Sequence, residues 1–233
     1  MSVALSRALL AEGLGSAALL AGVVGSGIMG VQLSGGNDGI ALLANAVATA
    51  ALLLVLISTL GPISGAHFNP AVSLVMALRC DLSWRRFAAY VPAQAFGAVL
   101  GVLLAHAMFD LDLWQPGTRV RTGAAQWLSE GVATFGLLLT ILLAQRHRPN
   151  AIPALVTAYI LAAYWFTAST SFANPAVTLA RSLTQTFAGI APDDVGGFVL
   201  AQLAGALLAV PVATLLLGPA QSVRPGTPQH SAK

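Results

Sequence analysis

Two stretches decide how this chain folds: Ser64-Gly65-Ala66-His67-Phe68-Asn69-Pro70-Ala71-Val72-Ser73-Leu74 and Ser171-Phe172-Ala173-Asn174-Pro175-Ala176-Val177-Thr178-Leu179. Each carries Asn-Pro-Ala ahead of a short apolar run. Asn is a favoured helix N-cap, and Pro suits the first helical position, where its missing N–H would be unpaired anyway. Each triplet therefore reads as the start of a helix. The first helix has little room, because Asn69 to Arg79 is a short run before the charged Arg79-Cys80-Asp81. At 1.5 Å per residue it covers roughly 16 Å, half a bilayer. Val72, Leu74, Val75, Met76, Ala77 and Leu78 leave no polar face for a helix lying on a membrane surface. Segment 63–80 is thus expected to be re-entrant, its irregular backbone buried in protein.

The rest of the chain supplies the membrane setting. It has 233 residues, of which 57% are hydrophobic and 8% charged, with a mean hydropathy of +0.80. Soluble domains carry about a quarter charged residues. Six apolar stretches approach or exceed the ~20 residues needed to span hydrocarbon: roughly 5–31, 40–60, 87–109, 126–145, 151–168 and 197–218. These predict an all-α membrane protein, one transmembrane domain over 1–218 followed by a Pro-, Gly- and Ser-rich cytoplasmic tail, 219–233. Residues 1–31 contain Glu12 and no convincing cleavage site, so they read as a retained first span rather than a signal peptide.

The single cysteine, Cys80, cannot form an internal disulfide, and no metal-ligand cluster or cofactor motif is present. His67, His106, His147 and His230 are scattered, without the i, i+4 pairing of ligands. The net charge of +3 does not point to nucleic acid, because the charges sort by membrane side. Arg7, Arg79, Arg85, Arg86, Arg146, Arg148, Arg224 and Lys233 fall on one side; Arg119, Arg121 and Arg181 fall on the other, with Asp38, Asp110, Asp112, Asp193 and Asp194. That bias places both termini in the cytoplasm.

The chain then repeats itself. Ala11-Glu12-Gly13 matches Ser129-Glu130-Gly131; Phe68–Leu78 aligns with Ala173–Leu183; Val91–Ala105 aligns with Val199–Ala213, with Gln94 opposite Gln202 and Gly97/Gly101 opposite Gly205/Ala209. Each half (about 5–109 and 126–218) holds three spans, an odd number, so the second half enters from the opposite side. The repeat is inverted. The small residues at Gly97/Gly101 and Gly205/Ala209 suit close helix packing. Residues 110–125, with Trp114, Pro116, Gly117 and Arg119, form the longest loop, on the outer side.

Both Asn-Pro-Ala boxes, the Ser64–Phe68 lead-in, the glutamates of spans one and four and the glutamines of spans three and six together resemble the major intrinsic protein family of aquaporins and glycerol facilitators. The likeness covers about residues 5 to 218. It implies six transmembrane helices with two re-entrant half-helices, a homotetramer, and a passive channel in the plasma (inner) membrane of a bacterium. It also implies that Glu12, Glu130, Gln94 and Gln202 support the half-helix loops, although an intramembrane carboxylate admits a proton-relay reading. Asn69, Pro70, Ala71, Asn174, Pro175 and Ala176 form the pore motif. Two helix N-termini meeting at the midplane each present about half a positive charge and repel cations. An Asn carbonyl caps its own helix while its NH₂ donates to a passing solute.

The sequence departs from the family at one filter position. Most aquaporins have arginine directly after the second box; here it is Val177. Counting along the family spacing puts Thr49, Ala162 and Ser171 at the other filter positions. A gap in span five would substitute Tyr159, Tyr164 or Trp165 for Ala162. The set Thr49, Ala162, Ser171, Val177 is small and uncharged, so the filter is expected to be wide and to repel cations weakly. That suits glycerol-like solutes or neutral metalloid acids such as arsenous acid, with water. Bacterial relatives with Val at this place look most similar and are associated with arsenic-resistance gene clusters. Arg181, one helical turn beyond Val177, either guards the outer vestibule or snorkels to the interface. A water-selective aquaporin, a non-conducting structural relative and an ion-coupled transporter relying on Glu12 and Glu130 are the competing readings; no nucleophile–base pair points to an enzyme.

Overall fold

The computed structural model describes residues 3–218; the tail expected at 219–233 lies outside the described residues. Eight α-helices are present in that range: α1 (Leu5–Leu33), α2 (Asp38–Ser64), α3 (Pro70–Leu78), α4 (Trp84–Met108), α5 (Ala124–His147), α6 (Ile152–Phe166), α7 (Pro175–Arg181) and α8 (Val195–Leu217). Six are long and apolar enough to cross a membrane, α6 with the help of a single 3₁₀ turn at Pro149–Ala151. The other two, α3 and α7, are the half-helices. At nine and seven residues they reach only about 14 and 10 Å. The fold is an all-α inverted repeat, three spans and one half-helix in each half.

α2 runs past Gly61-Pro62, where the second span was expected to end, and stops at Ser64. Gly65 caps it in the left-handed conformation, φ 93°, donating its N–H to the Gly61 carbonyl. The extra turn persists because tertiary contacts hold it: Tyr90 Oη donates to the Ser64 carbonyl at 2.8 Å, and Ser64 Oγ donates to Glu12 at 2.6 Å. α7 ends at Arg181, so the second half-helix is shorter than the aligned first one.

In each half the first and third spans pack most tightly, α1 on α4 and α5 on α8. The close approach is made at glycine. A Cβ on Gly97 would sit 2.1 Å from the Gly13 carbonyl oxygen, and one on Gly205 would sit 2.1 Å from that of Gly131. No side chain fits there. With no hydrophobic force between helices in lipid, backbone-to-backbone packing of this kind supplies the association. Many large apolar side chains stay exposed around the outside, such as Leu14, Val55, Phe96, Leu128, Leu200 and Leu215; this is the lipid-facing surface of a multi-pass membrane protein.

Candidate functional site

The two loops leading into α3 and α7 share one unusual backbone. Ala66, Phe68, Ser171 and Ala173 all have positive φ, between 48° and 51°. Residues with a Cβ hold that conformation only where the surroundings dictate it. What dictates it is a buried glutamate behind each loop. Glu12 Oε1 accepts from Ser64 Oγ and the His67 N–H, and Oε2 from the Phe68 N–H at 2.7 Å and Gln94 Nε2 at 2.8 Å. Glu130 Oε1 accepts from the Phe172 N–H at 2.9 Å, and Oε2 from the Ala173 N–H at 2.9 Å and Gln202 Nε2 at 2.6 Å. The glutamines reach on to the half-helices, Gln94 to Ser73 Oγ and Gln202 to Thr178 Oγ1. All four side chains are fully buried, and none borders the cavity described below. The carboxylates of Glu12 and Glu130 accept from the loops, and the Gln94 and Gln202 amides donate to those carboxylates.

Asn69 and Asn174 cap their helices as their sequence suggests. Asn69 Oδ1 accepts from the Ala71 N–H at 2.9 Å; Asn174 Oδ1 accepts from the N–H groups of Ala176 and Val177. Their amides do something the sequence does not show. Asn69 Nδ2 donates to the Ala173 carbonyl at 2.8 Å and Asn174 Nδ2 to the Phe68 carbonyl at 2.7 Å. Each half thus clasps the loop of the other, tip to tip. One hydrogen of each amide is used, and the second has no protein acceptor among the described residues.

The two asparagines border a cavity of about 210 Å³ inside the bundle. Its walls divide by chemistry. The spans α1, α2, α5 and α6 supply mostly carbon: Leu19 and Val23, Leu53 and Ile57, Leu137 and Ile141, Val156 and Ile160. The two loops supply polar atoms from Gly65–Asn69 and from Ser171–Asn174, joined by Thr49, Gln145, Tyr164 and Arg181. Ser171 Oγ is buried and has no hydrogen-bond partner among the described residues. On the other loop the His67 ring is 3.0 Å from Ser73 Oγ through Nδ1.

Of the four residues expected at the filter, Thr49, Ser171 and Val177 border the cavity and Ala162 does not. It is exposed on the outside of α6, and Tyr164 takes the inner place, 3% exposed, with its hydroxyl donating to Thr49 Oγ1 at 3.3 Å. Two residues along a helix is a rotation of about 200°, so both cannot face inward. Tyr159 bonds instead to α5 carbonyls, and Trp165 is exposed. Two further residues stand beside the expected set Thr49, Ala162, Ser171 and Val177. Phe172 borders the same space, and so does Arg181. Arg181 does not snorkel: it is 2% exposed, its guanidinium lies 3.4 Å from the Phe172 ring centroid, and its Nε–H donates to the Ala188 carbonyl.

A second buried arginine, Arg121, comes from the outer loop and carried no signal in the sequence. Its Nε and Nη1 donate to the carbonyls of Gly189 and Ser169, its backbone N–H to Asp194, and its guanidinium lies 5.0 Å from the same Phe172 ring. Burial, and then Arg181 and Arg119 nearby, push it down to about 9, so it remains cationic at neutral pH. His106, fully buried, joins α4 to this layer through Leu113 and Thr184.

Comparison with known proteins agrees with this architecture. Residues 1–167 match the family described as Major intrinsic protein. The chain is 58% identical over 219 residues to aquaglyceroporin AqpS of Rhizobium meliloti (strain 1021), covering 94% of both chains. It is 38% identical over 112 residues to aquaporin-2 of Rattus norvegicus, covering 48% of this chain and 40% of that one. In fold it is similar to the X-ray structure of the aquaglyceroporin from Plasmodium falciparum, with a TM-score of 0.68, 20% identity and coverage of 90% and 94% of the two chains. The Asn-Pro-Ala loops clasped at the midpoint of an inverted helical bundle are therefore those of a channel family and not of an enzyme: this chain belongs to the major intrinsic protein family.

Proposed function

We propose that this protein is a passive channel for small neutral polyhydroxylated solutes, glycerol foremost and trihydroxy metalloid acids such as arsenous acid beside it, with water passing as well. The division of the cavity wall carries this reading. A polyol has a carbon face and a hydroxyl face, and the wall offers carbon from four spans and hydrogen-bonding groups from two loops. The 58% identity to a protein named an aquaglyceroporin supports it. Asn69 and Asn174 hold a solute oxygen with their free amide hydrogens at the meeting point of the two half-helix N-termini, whose partial positive charge opposes protons and cations. Tyr164, Thr49, Ser171, Phe172 and Val177 form the narrow outer ring. Glu12, Glu130, Gln94 and Gln202 act as loop supports and not as a proton relay. The chain works as a homotetramer with both termini in the cytoplasm.

Stopped-flow measurement of purified protein in vesicles, with water, glycerol and arsenite side by side, tests the proposal. Non-saturating glycerol and arsenite flux, indifferent to proton and sodium gradients, is expected. Water flux alone would replace it with a water-selective channel, and gradient dependence with a transporter.

A further inference from the structure

We propose that Arg181 sets the charge selectivity of this pore, its guanidinium reaching back along α7 to the level of Phe172 and held there by the outer loop through Arg121. The inference rests on the channel reading above.

Arg181 is the last residue of α7, one turn beyond Val177. A helical side chain leans toward the N-terminus of its helix, so it covers the turn before its own Cα. The position of the guanidinium fits this: it stacks on Phe172, which lies before the helix begins. One edge of the guanidinium is fixed by Nε donating to Ala188. Its terminal nitrogens have no protein acceptor among the described residues, and the side chain borders the cavity. This is a buried planar cation with one edge tied down and the other turned to the solute path.

Nothing neutralises it by contact. Among the described residues the one salt bridge is Arg79–Asp81, on the opposite side of the membrane. The ionisable groups facing Arg181 are Tyr164, Glu130 and Arg119, with Arg121 beside it. Glu130 already accepts three N–H groups, and Asp194 holds the backbone of Arg121. The outer layer therefore keeps a net positive charge where a passing cation would have shed most of its water. A like charge a few ångströms away in a partly buried site lowers cation entry by about 10-fold or more. A neutral hydroxyl, in contrast, accepts an N–H from the same group. Arg121 is a positioning residue: it stacks on the same Phe172 ring and ties the loop of Ala188 and Gly189 that receives Arg181.

The test uses the full chain in vesicles, with sodium entry and glycerol flux read from the same preparation. Arg181→Gln should raise sodium entry, taken relative to glycerol flux in the same vesicles, by about 10-fold or more. Sodium entry unchanged from wild type would overturn the inference while leaving the channel reading intact. Wild-type vesicles that pass no glycerol would instead overturn the channel reading. If the glutamine variant fails to insert, Arg181→Lys decides. Its sodium entry should stay low at neutral pH and rise as the pH approaches the lysine range of about 10, where the ammonium loses its proton. A flat profile in the lysine variant would sink the idea. Arg121→Gln should shift sodium entry in the same direction by less, and no shift would remove Arg121 from the device.

Discussion

The loops before α3 and α7 are built alike up to the half-helix, and then they part. Both are held by one glutamate, one glutamine and a hydroxyl (Ser73 or Thr178), and each is clasped by the other's asparagine. Beyond that shared frame, the first loop carries a layer without arginine: the His67 ring on Ser73, Tyr90 packed edge-on against the imidazole, and Gln145 reaching Met76. The second carries a charged one, with Arg181 and Arg121 stacked on Phe172. The segment after α3 reaches the membrane surface at Arg79–Asp81, both partly exposed. The segment after α7 is knitted to the outer loop instead, the Gly117 N–H donating to Ser182 and the Ala191 N–H to Arg119. What the halves share is what any strained, buried loop needs. Where they differ, one end of the cavity is given an arginine and the other is given a histidine.

The comparison can be broken at the shared frame first, where the largest effects lie. Glu130→Ala would leave the Phe172 and Ala173 N–H groups and one hydrogen of the Gln202 amide unpaired in a buried site, at about 1–3 kcal/mol for each group. Thermal unfolding in detergent should show Glu130→Ala and Glu12→Ala destabilised to a similar degree. A loss confined to one of them would mean that the halves are not equivalent supports. Gly97→Val and Gly205→Val should come next, because overpacking at a backbone contact costs about 1–3 kcal/mol or more. Loss of the folded form in both, followed by the same unfolding measurement, is the expected outcome.

Smaller effects test the layer that differs. Val177→Arg would set a second cation beside Arg181, and glycerol flux should fall by about 10-fold, a barrier increase of roughly 1.4 kcal/mol, with water flux much less changed. Unchanged glycerol flux would remove Val177 from the constriction. Tyr164→Ala should admit polyols larger than glycerol, whereas Ala162→Phe should leave all fluxes unaltered. A response to Ala162→Phe would contradict the placing of that residue on the lipid side. The smallest change expected is His67→Ala, which removes one neutral hydrogen bond of about 1 kcal/mol. Glycerol flux in that variant should stay within a few-fold of wild type in stopped-flow vesicles.

Local chemistry in the sequence was enough to locate the half-helices. Asn-Pro dictates a capped start, and the shortness of the apolar run after Asn69 excludes a span, so α3 and its inverted counterpart α7 could be read directly. The pairing of Glu12 with Glu130 and of Gln94 with Gln202 was legible because the repeat preserves it. The filter was less legible. Ala162 was reached by counting, and counting carries no information about rotation around α6; only packing against α2 turns Tyr164 inward to Thr49. Arg121 was invisible, since its partners Gly189, Ser169 and Asp194 are brought to it by the tertiary fold.

The sequence by itself determined the membrane setting, the inverted repeat and the two capped half-helices. These depend on hydropathy, on spacing and on the local geometry of Asn and Pro, all of which act within a few residues of one another. Which side chains border the outer end of the cavity was settled by the tertiary structure alone. That outcome depends on side-chain reach and helix rotation, and on distant loops meeting at Phe172, where Val177 left the position after the box uncharged and Arg181 came back to occupy the space.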